Sequence, residues 1–147
     1  MRVIDYDKKY FKDWADMAFL LFKDYNRDFI ETKLDRLADS TKHKTFFVLE
    51  SELVIGYVTG SIRSDYVEGS KGSPTGYLEM IFIKDGYRKR GFAKKLYEKV
   101  EKWALEKGCI QMGSDTWDWN KTSRDFHKQL GFKEEEVLVH FIKNIQS

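Results

Sequence analysis

The segment Arg88-Lys89-Arg90-Gly91-Phe92-Ala93 puts three cations, a residue without a side chain and a small residue close together. That combination suits an oxyanion if a helix starts there. The first turn of a helix offers unpaired N–H groups and a partial positive charge, which together favour a pyrophosphate. Gly91 lets the backbone approach phosphate oxygens, Ala93 keeps the next approach small, and Arg88 and Arg90 add charge and directed donors. A basic helix entry with an ordinary glycine would carry the same residues, so the setting decides. No G-x-G precedes the turn and no acidic ribose ligand follows a second strand, which separates it from a dinucleotide fingerprint. Glu79 is the second chemical group. It stands inside the apolar run Tyr77-Leu78-Glu79-Met80-Ile81-Phe82-Ile83, where a carboxylate is expensive to bury without a partner.

The elements that must position these residues follow from periodicity. Gly76 to Ile83 reads as a strand entering the turn, and Phe92 to Lys107 as the helix leaving it, with Leu96, Val100 and Trp103 on one stripe and Gly108 as its C-cap. Upstream, Arg2 to Tyr6 is a strand. Lys8 to Phe22 is an amphipathic helix, and a second helix containing Phe29, Ile30, Leu34 and Leu37 ends near Ala38. Ser40 to Lys44 is a polar connector. Phe46 to Leu49 and Leu53 to Ile62 form a hairpin, and Arg63 to Thr75, with the only proline, is a loop of functional length. Downstream come a short strand Ile110 to Ser114, a helix Thr122 to Leu130 stopped by Gly131, and a last strand Val137 to Ile142. The order β-α-α-β-β-β-α-β-α-β predicts an α/β (α+β) fold whose mixed sheet binds its ligand near a crossover.

Composition narrows the classes. The chain of 147 residues has room for one domain, so 1–147 is read as a single domain. Hydrophobic residues at 41% and charged residues at 34%, with 26 basic against 24 acidic, describe a globular protein without the basic excess of a nucleic-acid binder. No apolar run suits a signal peptide or a membrane span, and Cys109 is alone, so a cytoplasmic setting is expected. Cys109 reads as a small buried filler rather than a nucleophile, because no histidine is placed to activate it. No metal site is expected.

The pattern R-x-x-G-x-A between strand and helix resembles the acyl-coenzyme A signature of the GNAT (Gcn5-related N-acetyltransferase) superfamily. The resemblance implies a GNAT-like, mostly antiparallel sheet flanked by about four helices, with acetyl-coenzyme A as acetyl donor. It implies that Ile81, Phe82 and Ile83 pair through their backbones with the pantetheine arm. Arg88, Lys89, Arg90, Gly91, Phe92 and Ala93 would wrap the pyrophosphate, and Phe126 to Phe132 is similar to the second cofactor motif.

Further residues resemble one bacterial subfamily, the aminoglycoside 6'-N-acetyltransferases. They are Ser61 to Val67, Ser73-Pro74, Leu78-Glu79, Ile81-Phe82, Gly113 to Thr116, Asn120, Ser123, His127, Gly131-Phe132 and Glu134 to Glu136. An aminoglycoside is a polycation, so its pocket needs carboxylates around amines. By this resemblance Glu79, Asp115 and Glu136 bind the substrate, together with Tyr66 in the long loop and with Phe22 and Tyr25 after the first helix. Asp115 as a loop cap and Glu136 as part of a solvated turn are the plain alternatives. Glu79, or Asp115 through water, would take the proton that the ammonium must lose before attacking the thioester. Backbone N–H groups of Met80 to Ile83 would polarise the carbonyl, and Asn120 would hydrogen-bond the pantetheine arm. His127 stands one position after the helix aromatic, where many members have a tyrosine acid. Phe22 replaces a frequent tryptophan, and Trp117, Asp118 and Trp119 stand where small or acidic residues are usual. Another amine (a polyamine, a peptide N-terminus or a small metabolite) and a non-catalytic acyl-coenzyme A module are the alternatives to an aminoglycoside. The apolar last strand and the subfamily's habit point to a homodimer.

Overall fold

Alternating apolar residues make strands, and a strand exists only beside another. The computed structural model describes residues 1–146, which divide into two compact units, Met1–Ser114 and the described residues from Asp115 onwards.

The first unit is a five-stranded sheet in the order β1-β2-β3-β4-β5, formed by Arg2–Asp5, His43–Glu50, Leu53–Arg63, Thr75–Ile83 and Met112–Ser114. The first three pairings are antiparallel and β4 pairs with β5 in parallel. A parallel pair needs a crossover, and α3, Phe92–Glu106, supplies it. The β2–β3 hairpin turns on Ser51 and Glu52, whose φ values of 51° and 66° give the left-handed turn that matches the strands' twist. The connector read at Ser40 to Lys44 is shorter than expected. His43 and Lys44 already belong to β2, because they pair with Ser61 and Gly60 of the longer β3.

Helices cover both faces. A 3-10 turn at Lys8–Tyr10 leads into α1, Phe11–Leu21, which is followed by α2, Arg27–Asp39. These helices bring Trp14, Ala15, Met17, Ala18, Ile30 and Leu34 against Phe47, Tyr57 and Met80 in one buried cluster. Trp14 is its centre, with edge-on contacts to Phe11, Phe47 and Tyr57. α3 lies on the other face. A Cβ on Gly60 would strike Val100, and one on Gly76 would meet Ala104 and Met112, so the two glycines let the helix sit close to the strands. The buried stripe of α3 is Phe92, Leu96, Val100 and Ala104, with Tyr97 beside it. Trp103, expected on that stripe, is only half-buried, because i, i+4 spacing carries the stripe to Ala104 instead.

In the second unit α4, Lys121–Gln129, starts at Asn120, whose side chain accepts the Ser123 N–H at 3.1 Å. Gly131, at φ 96°, ends the turn after it. The strand expected from Val137 to Ile142 does not form. A strand needs a neighbouring backbone for its N–H and C=O groups, and this stretch has no ladder partner among the described residues. Its apolar side chains Val137, Leu138, Val139, Phe141 and Ile142 are 66–89% exposed.

Candidate active site

Glu79 owes its position to a break in register. Thr59 of β3 opposes Met80 and Gly60 opposes Leu78, so Glu79 has no opposite residue. An extra residue of this kind bends the strand and re-aims a side chain. The Glu79 side chain is a quarter exposed. Its carboxylate accepts from Ser61 Oγ, from Arg63 Nε at 3.1 Å and from Arg63 Nη2 at 2.9 and 3.0 Å. The forked guanidinium fixes the plane of the carboxylate. Arg63 is itself held flat on Tyr77, its guanidinium carbon 3.4 Å from the ring centroid. Three β3 and β4 side chains thus aim one carboxylate, and Oε1, which accepts only from Arg63, is left for an incoming cation.

The same strand presents an open edge. The parallel pairing with β5 covers only Gly76 to Leu78, while on its other side β4 stays paired with β3 through Ile83. From Glu79 onwards the groups turned away from β3 have no strand beside them among the described residues, and such an edge can pair with an extended amide-bearing ligand. The side chains of Phe82 and Ile83 are anchored, Phe82 against the main cluster and Ile83 buried, so the edge is rigid.

Strand β4 then runs into the basic turn. Gly91 caps α3 in the left-handed region (φ 83°, ψ 3°), and the space where a Cβ would stand is open. The first helical bond runs from Lys95 N–H to the Gly91 carbonyl, so the N–H groups ahead of it lack helical acceptors. Lys89 is also left-handed, at φ 62°. The arginines differ from the expectation of freely offered donors. Arg88 Nε donates to the Ile83 carbonyl at 2.8 Å and its Nη1 pairs with Asp85, which closes the strand exit. Arg90 pairs with Glu50 at 2.8 Å and lies over the Phe92 ring. Phe92 is buried and Ala93 half-buried, so the cradle is mostly backbone.

The remaining residues of the first unit are scattered in role. Phe22 packs against the main cluster, while Tyr25 is half exposed and stacked on Phe29 with centroids 5.0 Å apart. Tyr66 is 76% exposed in the loop between β3 and β4, above a shallow recess lined by Asp65, Ser70, Lys71 and Ser73. In the second unit Asp115 and Glu136 are exposed, and Asn120 is occupied in capping α4. His127 Nδ1 donates to the Ser123 carbonyl at 2.7 Å, which fixes its proton on that nitrogen, and the ring packs edge-on against Phe132. Trp117 and Trp119 are exposed and parallel, their centroids 6.5 Å apart. Cys109 is buried, and burial pushes its thiol up, away from the reactive thiolate.

Ser61 and Arg63 lie in the stretch that carries the subfamily resemblance but were given no role by sequence reasoning, and His43 was not singled out. Ser61 and Arg63 stand two apart at the end of one strand, so a shared face was the available signal; nothing local marked His43.

Comparison with known proteins fits this geometry. The family model for the acetyltransferase (GNAT) family matches residues 8–132. Aminoglycoside N(6')-acetyltransferase type 1 of Salmonella enteritidis is 32% identical over 143 residues, covering 97% of this chain and 99% of its own length. Among solved structures, AAC(6')-Iy in complex with CoA matches with a TM-score of 0.92 at 31% identity, over 97% of this chain and 93% of that one. The same enzyme in complex with the bisubstrate analog CoA-S-monomethyl-acetylneamine also gives 0.92 at 31% identity, with 97% of each chain covered. The chain belongs to the acetyltransferase (GNAT) family and is an acetyltransferase, similar along nearly its whole length to the aminoglycoside N(6')-acetyltransferases of type 1.

Proposed function

We propose that this enzyme transfers the acetyl group of acetyl-coenzyme A to the 6'-amine of an aminoglycoside by direct attack. The observation that carries the reading is the sequence of features along β4: Glu79 clamped as an anion, an unpaired backbone edge after it, then the Gly91 turn. The edge formed by Ile81, Phe82 and Ile83 pairs with the pantetheine arm, and the N–H groups at the start of α3 take the pyrophosphate, with Arg88, Lys89 and Arg90 supplying the positive field. Glu79 holds the substrate's ammonium. The proton leaves to Glu79 or, through water, to Asp115. The freed nitrogen attacks the thioester carbonyl, the new N–C bond forms as the C–S bond breaks, and strand N–H groups stabilise the oxyanion. Tyr66, Tyr25, Phe22 and Glu136 serve the sugar rings and the other amines, and Asn120 serves the pantetheine arm.

The family match spans residues 8–132, across both compact units, which supports their acting as one domain. No helix among the described residues is long and apolar enough to cross a membrane, and with the lone reduced Cys109 this favours a cytoplasmic enzyme. The exposed apolar stretch from Val137 to Ile145 favours a homodimer in which a second copy covers it.

A free-thiol assay with acetyl-coenzyme A and kanamycin or tobramycin tests the activity. Turnover well above thioester hydrolysis is expected, and Glu79→Gln should lower kcat/KM at least about a hundredfold. Turnover of polyamines or peptide N-termini with none of aminoglycosides would move the acceptor to another amine.

A further inference from the structure

The face of the sheet that carries Glu79 also carries a histidine. Thr45 of β2 bonds Thr59 of β3 at 2.7 Å, with both hydroxyls buried. Two residues further along the same faces, His43 stands directly opposite Ser61. Directly opposed residues of an antiparallel pair project to the same side. Ser61 donates to Glu79, so His43 shares its face of the sheet with the hydroxyl that binds the carboxylate. The ring is not left to wander: Nδ1 meets Ser40 Oγ at 2.8 Å at the end of α2.

The charges that bear on His43 come from three elements around β2. Glu79 of β4 favours its protonated form, while Arg63 of β3 and Lys33 of α2 oppose it. Burial is the largest influence, and the imidazole titrates below its ordinary value. At neutral pH it is therefore mainly uncharged, and the cation in contact with Glu79 is Arg63.

We propose that His43 is a positioning residue of the acceptor-amine site, its charge state setting how strongly Glu79 holds an incoming ammonium. This rests on the reading of Glu79 as the amine's partner. The linkage has a definite sign. An ammonium on Glu79 adds positive charge beside the ring and drives its proton off. Reciprocally, protonating His43 adds a cation next to Glu79 and weakens amine binding by the same factor. The penalty sets in as pH falls through the lowered imidazole value, and it is specific to the acceptor, because the pyrophosphate turn lies beyond the far end of β4.

Two measurements test this. In the first, the His43 ring is titrated by NMR in the enzyme without substrates. Glu79→Gln should shift its titration to lower pH and Arg63→Gln to higher pH. If neither moves it, the coupling is absent and the proposal falls, whatever the activity. In the second, KM for tobramycin and for acetyl-coenzyme A is followed from about pH 8 down to about pH 5.5, the range in which an imidazole changes charge. Relative to His43→Gln, wild type should show an extra acid-side rise in tobramycin KM of about fivefold, a usual size for coupled sites. Its acetyl-coenzyme A KM should follow the variant's. Parallel tobramycin profiles would overturn the proposal. A wild type that acetylates no aminoglycoside fails the substrate reading instead; the ring titration then still decides the coupling, and spermidine replaces tobramycin in the second measurement.

Discussion

Arg63 is the residue on which the proposed acceptor site turns. It makes a forked contact with Glu79 while lying on Tyr77, and with 40% of its side chain exposed its contribution to stability is small. Its work is geometric. Arg63→Gln should raise the aminoglycoside KM about tenfold, the equivalent of ~1.4 kcal/mol, with the acetyl-coenzyme A KM unchanged. Arg63→Lys should recover only part of this, since an ammonium restores the charge but not the fork. Steady-state kinetics with each substrate varied in turn separates these outcomes, and a donor KM that moves as much as the acceptor KM would count against a positioning role. Glu79 was legible in the sequence as a carboxylate in an apolar strand. The role of the residues that aim it was not, because Ser61, Arg63 and Glu79 meet only through the β3–β4 register and its shift at Gly60.

Elements bear on how the proposed donor turn would work without much help from its side chains. Arg88 and Arg90 are committed to Ile83, Asp85 and Glu50, so the positive character of the turn comes from oriented N–H groups reinforced by nearby charge. Gly91 is where this is testable. Its left-handed φ of 83° would strain an alanine, yet no protein atom lies within 4 Å of the added Cβ. Gly91→Ala should therefore destabilise the fold by only about 1 kcal/mol, a few degrees in the melting midpoint. It should raise the acetyl-coenzyme A KM about tenfold, because the methyl enters the space the pyrophosphate needs. Thermal melts beside donor-varied kinetics check this; a change in stability with an unaltered donor KM would place the phosphates elsewhere. Helices and strands matched the expected pattern closely, since amphipathic period and glycine stops are local. The last strand failed because pairing is not local. Val137 to Ile142 has the apolar, partly β-branched composition of a strand and no ladder partner among the described residues.

At the scale of the whole molecule, the exposed run from Val137 to Ile145 is more apolar surface than a monomer ordinarily leaves in water. Light scattering at micromolar concentration should give about twice the chain mass of 17.5 kDa. The double substitution Phe141→Asp and Ile142→Asp should reduce it to one chain while circular dichroism stays native. A wild-type monomer would remove the dimer.

The sequence by itself determined the architecture and the proposed donor side. A strand, a basic glycine turn and an amphipathic helix are contiguous, and contiguous residues carry their geometry through periodicity and backbone preference alone. It also marked Glu79, since a buried charge is conspicuous in an apolar run. Tertiary structure decided the acceptor side. The bulge that turns Glu79, the Arg63 fork, the Ser61 hydroxyl and the imidazole of His43 come from three strands separated by loops, and no local rule of propensity reports which residues a sheet register will set side by side.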